Sequence, residues 1–592
     1  MTFEERSLLI LYGSQTGTAQ EVAEQIWRDG KRRNWHGPVK AMDEIEPVEL
    51  LRQKVCIFVC STTGQGEEPD NMKMFWKFLL QRSLPPTSLT QLKYAVLGLG
   101  DSSYAKFNFV AKRLNKRLAQ LGGDSILAVG LGDDQHELGP DAVVGPWTKT
   151  LWDALDKIHP LDGKSEFNPF EMRPLRYKIK ITKKEDAAPI SEKPSLEKST
   201  ILKATLEENK RTTSPSHYQD VRLLKISVPG IQYKPGDVLM VQPKNLKENV
   251  QRLLEIFNLC GQDVIELHQT DDKFPIALPP SWMCPNPCTV ADCVQNLLDL
   301  QAIPQRYCLQ LMAHFTTSEL EKERLLEFCT PEGQQDLYSY AHRPKRGTLE
   351  VLEDFPHALA ALPVEYLFDI FKVIRPRAFS IASALEMHPN TAELLVAVVN
   401  YRTMLKTARL GLCSNWMARL EPSSELSVWV KTGSFKFPST VETPIICVGP
   451  GTGCAPFRSL IQQRAALNPD NKGKIVLFFG CRNKEGDFHC AEEWKKYDAS
   501  GIIKLCCAFS QDQSHKIYVQ HKMLEESSHI WDLLSKGGAH FFVAGNSKNM
   551  PKSVRDAVVE IGQKEGGLSL EEAEAFVSNL EKSGRYQTET WA

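Results

Sequence analysis

Short apolar runs that end in loops of glycine, serine and threonine, each followed by a helical pattern, recur at both ends of this chain. Leu8-Leu9-Ile10-Leu11-Tyr12 runs into Gly13, Ser14, Gln15, Thr16, Gly17, Thr18 and Ala19, and then into a helical pattern over residues 21–29. Residues 55–60 lead in the same way to Ser61, Thr62, Thr63 and Gly64. Residues 94–98 lead to Leu99, Gly100, Asp101, Ser102, Ser103, Tyr104, Ala105, Lys106, Phe107 and Asn108, and residues 129–133 to Asp134. Strands that are apolar throughout are buried on both faces, as in a parallel sheet covered by helices. A doubly wound α/β domain of this kind binds ligands beyond the carboxyl ends of its strands. The first loop offers hydroxyls, backbone N–H groups and a helix N-terminus to an anion. It lacks the Gly-Lys-Ser/Thr ending of an ATP-type loop and the glycine spacing of a dinucleotide fingerprint. A monoester phosphate such as that of FMN suits it, the bland alternative being a polar strand-to-helix turn.

With 592 residues and about 150 per domain, the chain holds three or four domains. We divide it into residues 1–160, a linker over 161–200, a domain over 201–440 with a helical insertion at about 247–353, and a last domain over 441–592. A net charge of -2 argues against bulk nucleic-acid binding. The fifteen cysteines are scattered through apolar runs, which fits reduced thiols in the cytosol better than a disulfide framework. Cys284, Cys288 and Cys293 form a loose cluster, but no His/Cys pair follows at zinc spacing, so no metal is expected. Residues 1–7 do not read as a signal peptide, and no run of about 20 uncharged apolar residues would span a bilayer. Residues 183–199 are charged, proline-containing and poor in apolar groups. They read as a flexible tether of roughly 20–25 Å, or as a passive spacer.

The middle domain opens with Tyr233-Lys234-Pro235-Gly236-Asp237 turning into a strand, as in a small β-barrel. Its central motif is Arg375-Pro376-Arg377-Ala378-Phe379-Ser380-Ile381. Arg377 offers a fork of donors that suits a pyrophosphate, Phe379 a flat face and Ser380 a hydroxyl, a combination that suits a flavin dinucleotide. The alternative is a core strand with a surface arginine. Gly411, Leu412, Cys413 and Ser414 then make a glycine turn entering a helix. In the last domain, residues 445–448 run into Gly449-Pro450-Gly451-Thr452-Gly453, whose glycines let a pyrophosphate approach the backbone. Further strand ends follow at Gly480-Cys481-Arg482, at Ser510 and Gln511 with Lys516, Ile517, Tyr518, Val519 and Gln520 beyond, and at Ala544-Gly545-Asn546. The C-terminal wording is Gln587-Thr588-Glu589-Thr590-Trp591-Ala592.

Taken in order, these motifs resemble the NADPH-dependent diflavin reductases over the whole chain apart from the linker. The resemblance implies a flavodoxin-like FMN domain, a β-barrel FAD domain with a helical insertion, and a Rossmann-like NADPH domain. By that likeness the first loop holds the FMN phosphate, and Ser61–Gly64, Leu99–Asn108 and Asp134 surround its ring and ribityl chain. Tyr104 stacks on one face, and Thr63 stands where some relatives place a second aromatic. Arg377–Ser380, Gly411–Ser414 and, more loosely, Lys345 bind FAD. Thr452 lies on the hydride path; Ser510, Gln511 and Lys516–Gln520 take NADPH, with Ser510 and Lys516 on its 2′-phosphate. Trp591 covers the FAD ring, and Ser380 and Glu589 flank the hydride path, where Ala544 replaces the family's cysteine. The likeness is strongest to the cytosolic branch. It implies electron delivery from NADPH through FAD and FMN to an anamorsin-type iron–sulfur protein in iron–sulfur cluster assembly, by a monomer. Rival readings are the same route serving a haem or other acceptor, and a flavin-loaded scaffold. Thr452, Ser380 and Trp591 argue against the scaffold. Glu67, Glu68, Asp70, Asp133, Asp134 and Glu137 form an acidic rim that suits a basic partner, or are solvated loops.

Overall fold

The computed structural model describes residues 6–64, 66–104, 106–160, 171–188, 201–468 and 473–591. Ala105 and Ala592, most of the linker and residues 1–5 lie outside the described residues. The described chain forms two compact units.

The first unit combines the described residues of Met1–Leu196 with Lys244–Arg375 and Thr403–Lys406. Its parallel sheet runs in the order Val39–Ala41, Leu9–Gly13, Val55–Ser61, Lys93–Gly100, Asp124–Ser125, and Gly130–Asp133 also pairs with Lys93–Gly100. All five residues of Leu9–Gly13 are buried, because helices cover both faces. One apolar core lies under helices Lys73–Leu79 and Phe109–Gln120. The other lies under helix Thr18–Arg32 and continues through Leu253, Leu297, Leu309 and Phe368 of the insertion. The insertion therefore shares the core of the first parallel sheet, and its helical part runs on to Leu367–Ile370. Cys284 and Cys288 meet in its interior with their Sγ atoms 3.3 Å apart. All fifteen cysteines are free thiols.

The linker drawn over 161–200 is anchored in its described part, residues 171–188, whereas most of the tether read at 183–199 lies outside the described residues. Arg173 makes a two-pronged bond to Asp29, at 2.9 and 3.0 Å. Arg176 lies 2.6 Å from Glu24, both side chains being at most 7% exposed. Lys178–Thr182 pairs antiparallel with Val264–His268. Arg173 and Arg176 thus anchor the segment, since a buried charge must be paired.

The second unit combines the described residues of Glu197–Pro243 with Pro376–Arg402 and Thr407–Ala592. Six antiparallel strands run in the order Arg377–Ser380, Val238–Val241, Glu425–Lys431, Leu202–Arg211, Val221–Ser227, Thr391–Ala397. A closed barrel was the expectation. The two ends of the sheet meet at the bridge Ile381–Leu394 rather than along a ladder. A five-stranded parallel sheet follows, in the order Ile503–Phe509, Ile475–Cys481, Ile445–Val448, His540–Asn546, Tyr586–Trp591. Arg458 ties the two sheets together. It is buried and donates to Glu393 at 2.5 Å, to Glu493 at 2.8 Å and to the Ala382 carbonyl at 2.8 Å. Among the described residues, no helix is long and apolar enough to cross a membrane.

Candidate active site

In the first unit the expected FMN loops converge at the carboxyl edge of the parallel sheet. Gly17 caps helix Thr18–Arg32 with a φ of +102°, a conformation that favours glycine, and its N–H donates to the Ser14 hydroxyl at 2.9 Å. The first N–H groups of that helix have no partner within it, so they suit a phosphate held by Ser14, Thr16 and Thr18. Asn71 accepts from the Ser14 N–H at 2.9 Å, and the Gln15 side chain pairs with Asp70. The second loop joins the third where Thr62 N–H donates to the Leu99 carbonyl at 3.1 Å. Gly66 (φ +92°) packs so closely on Lys106 that a Cβ there would lie 2.6 Å from its chain. The third joins the fourth where Asp133 accepts from Ser102 N–H at 2.9 Å and Asp134 N–H donates to the Gly100 carbonyl at 2.9 Å.

Several predicted residues position these loops rather than face the space between them. Asn108 is fully buried, sits at φ +50° and donates to the Gly132 carbonyl at 2.9 Å. Gly98 and Gly100 lie against it so closely that a Cβ on either would meet its Oδ1 at 2.8 or 3.0 Å. Ala19 and Leu99 point into the core. Asp101, Ser102, Ser103, Tyr104 and Phe107 line the exposed side of the same loop, none of them fully buried. The Thr63 hydroxyl donates to the Glu67 carbonyl of its own loop at 3.0 Å.

In the second unit Ser380, at the end of strand Arg377–Ser380, donates to Glu589 at 3.0 Å. Ser434 donates to the other oxygen of the same carboxyl. The terminal strand places Glu589 opposite Ala544 and Trp591 opposite Asn546. Beneath them the Gly451–Cys454 turn carries Thr452, and Gly453 approaches the Ala544 carbonyl so closely that a Cβ would lie 2.2 Å from it. Burial lifts the Glu589 carboxyl above the usual carboxylate range, although the hydroxyls of Ser434 and Ser380 pull it back down. A hydroxyl, a carboxyl and a close glycine turn thus meet at one sheet edge, a donor set that fits a flavin ring and a nicotinamide. Sequence reasoning missed Ser434. Its one local signal is the preceding Gly433, where a Cβ would meet the Gly236 carbonyl at 1.9 Å.

The remaining residues divide by exposure. Arg377 and Ala378 are exposed and Phe379 half-buried, as a dinucleotide surface requires. Leu412 and Cys413 face the core, and the Ser414 hydroxyl accepts from Val399 N–H at 3.0 Å, bracing the Gly411 turn. Lys345 lies in the first unit, at φ +53°. Gln511 N–H donates to the Arg482 carbonyl at 2.8 Å, and Ser510 N–H to that of Cys481 at 2.9 Å. Gln511, Lys516 and Tyr518 are exposed, while Val519 is core and Ile517 packs against it, with Gln520 half-buried. Arg482, not singled out as a ligand from the sequence, stacks 3.9 Å over the Tyr218 ring beside this edge. A hydrogen bond to a charged group contributes ~1.5–3 kcal/mol, and a factor of ten is ~1.4 kcal/mol. Gln511→Arg is therefore expected to tighten NADPH about tenfold; an unchanged Kd would refute a 2′-phosphate seat there.

Three family descriptions match the chain in this order: Flavodoxin over residues 10–147, FAD binding domain over 194–416, and Oxidoreductase NAD-binding domain over 447–556. Relatives called NADPH-dependent diflavin oxidoreductase 1 align along nearly their whole length. The one from Danio rerio is 46% identical, covering 99% of both chains. That from Bos taurus is 45% identical with the same coverage, and that from Schizosaccharomyces pombe is 38% identical, again over 99% of each.

Proposed function

Because the chain belongs to the NADPH-dependent diflavin oxidoreductases, we propose that it passes electrons to an iron–sulfur protein of the anamorsin type, in the cytosol, for iron–sulfur cluster assembly. The family membership makes it an enzyme that uses NADPH, FAD and FMN. When bound, the flavins take a hydride from NADPH as an electron pair and release electrons singly to an acceptor.

The protein's own groups position and polarise. Ser380 and Ser434 hold the Glu589 carboxyl, which in this reading would face the nicotinamide, and Trp591 would cover the FAD ring and yield to the nicotinamide. Arg377 and the Gly411 turn would hold the FAD pyrophosphate, and the Ser14–Ala19 loop would hold FMN in the first domain.

The acidic rim suits a basic patch on the acceptor, in a narrower form than the sequence suggested. Glu68 is paired with Arg113 at 2.9 Å, Asp70 with Lys73 at 2.6 Å, and Asp133 accepts backbone N–H groups. Glu67, just after the second loop, and Asp134 and Glu137, on the fourth, are exposed. A basic patch on the acceptor would meet these three, and charge pairing at a rim governs mainly the association rate. The test is stopped-flow mixing of the NADPH-reduced protein with an oxidised anamorsin-type protein, following the cluster spectrum at several salt concentrations. Glu67→Lys with Glu137→Lys is expected to slow cluster reduction about tenfold at low salt while leaving flavin reduction by NADPH unchanged. Equal rates for the wild type and the double variant would place docking elsewhere, and a cluster that stays oxidised would remove this acceptor.

A further inference from the structure

The FMN-type loop carries no cation of its own, and the fold brings one to it from more than 350 residues away in sequence. Arg375, the first arginine of the Arg-Pro-Arg motif, lies directly over Gly17. A Cβ on Gly17 would fall 1.8 Å from its Nη1 and 2.7 Å from its Cζ. The other guanidinium nitrogen, Nη2, donates to Glu21 at 2.6 Å, and Gln305 holds the opposite Glu21 oxygen at 2.8 Å. Both charged side chains are largely covered, at 19% and 12% exposure. Burial alone would raise the Glu21 carboxyl, but Arg375, Lys372 and Arg176 outweigh it and hold Glu21 below the usual carboxylate range.

A helix N-terminus carries a partial positive charge, so a cation held against it is unfavourably placed unless anions offset both. The fifteen-residue helix Thr18–Arg32 and Arg375, with Lys372 nearby, put two positive groups and a partial charge at one spot. Glu21 offsets one unit. A phosphate in the Ser14–Thr18 loop would offset more, and a guanidinium fork matches its oxygens. Only a residue without a Cβ leaves room for the guanidinium, which gives Gly17 a second reason besides its left-handed backbone.

We propose that Arg375 is the cationic ligand of the FMN phosphate, with Glu21 as its positioning residue. This rests on the reading of residues 14–19 as an FMN site. FMN affinity is then linked to the seating of residues 372–375 against helix Thr18–Arg32, within the first unit, and selects a phosphorylated flavin over riboflavin.

The test is equilibrium binding of FMN and of riboflavin to the full chain, depleted of FMN and retaining FAD, read by quenching of flavin fluorescence. Arg375→Gln is expected to weaken FMN roughly 10- to 100-fold and to leave riboflavin unchanged, and Arg375→Lys to retain part of the FMN affinity. The loss should shrink as salt rises. Equal weakening of both flavins would mark a purely structural role and overturn the proposal, as would unchanged FMN binding. A wild-type protein that binds neither flavin would instead overturn the FMN site itself.

Discussion

Asp369→Ala is expected to destabilise the first unit by about 3–5 kcal/mol, the usual cost of removing one partner from a buried ion pair. Asp369 and Arg28 form a contact in which their side chains are 1% and 5% exposed. The second oxygen of Asp369 accepts from Arg176 N–H at 3.3 Å, and Arg28 also reaches the Pro174 carbonyl at 3.3 Å. The pair therefore joins helix Thr18–Arg32 to the insertion and to the segment at 173–177. Alanine leaves the buried Arg28 charge with the Pro174 carbonyl at 3.3 Å and the Tyr307 ring 5.9 Å away but, among the described residues, no carboxylate bonded to it, and an uncompensated charge costs far more than a lost surface bridge. Urea unfolding followed by FMN release should show an earlier midpoint with an unchanged slope. Replacing both partners, as Arg28→Met with Asp369→Leu, should cost much less than the sum of the single changes. A single-mutant loss under about 1 kcal/mol, the level of a surface pair, would contradict the assignment of this pair as the unit's anchor.

Glu589→Gln is expected to slow anaerobic flavin reduction by NADPH about 10²-fold, the size of losing one preorganised stabilising group from a water-poor site. Ser380 and Ser434 fix the Glu589 carboxylate, which would stabilise the positive charge that a bound nicotinamide gains on giving up a hydride. The sign of the pH dependence follows from the raised carboxyl. Glu589 stays neutral to higher pH than an ordinary glutamate, so the rate should climb as pH rises from about 4.3 through the raised folded-state value, and the limb should vanish in Glu589→Gln. Stability runs the other way: a raised folded-state value favours the neutral form, so that contribution is full below the unfolded value and lost as pH rises through the folded one. A variant whose pH profile superimposes on the wild type would remove Glu589 from the hydride path.

What the sequence made legible is what local pattern can encode. Strands such as Val55–Ser61 and Ile445–Val448 are buried along nearly their whole length, so they appear as unbroken apolar runs, and the glycine and hydroxyl loops follow at their carboxyl ends. The Ser380, Glu589 and Trp591 positions came through resemblance, and the structure does place Ser380 against Glu589. Contacts between charges far apart in sequence left no local trace. Glu21, Glu24 and Arg28 follow helical spacing and would ordinarily read as a solvated face. They are instead met by Arg375, Arg176 and Asp369. The same blindness left Arg173 and Arg176 unremarked within the linker and hid the core that the insertion shares with the first sheet. Ser434 escaped because its partner lies 155 residues away. Asn108 reads as a loop ligand, and its complete burial against Gly132 is not visible in the sequence.

The most direct test of the account is the order of electron flow. The protein would be prepared with both flavins and, separately, depleted of FMN while retaining FAD, and each form mixed anaerobically with NADPH and a one-electron acceptor. The account predicts that the depleted protein still takes a hydride from NADPH at the wild-type rate, that acceptor reduction falls to a small residue, and that added FMN restores it. Undiminished acceptor reduction without FMN would contradict the route from NADPH through FAD to FMN, and with it the role assigned to the first unit.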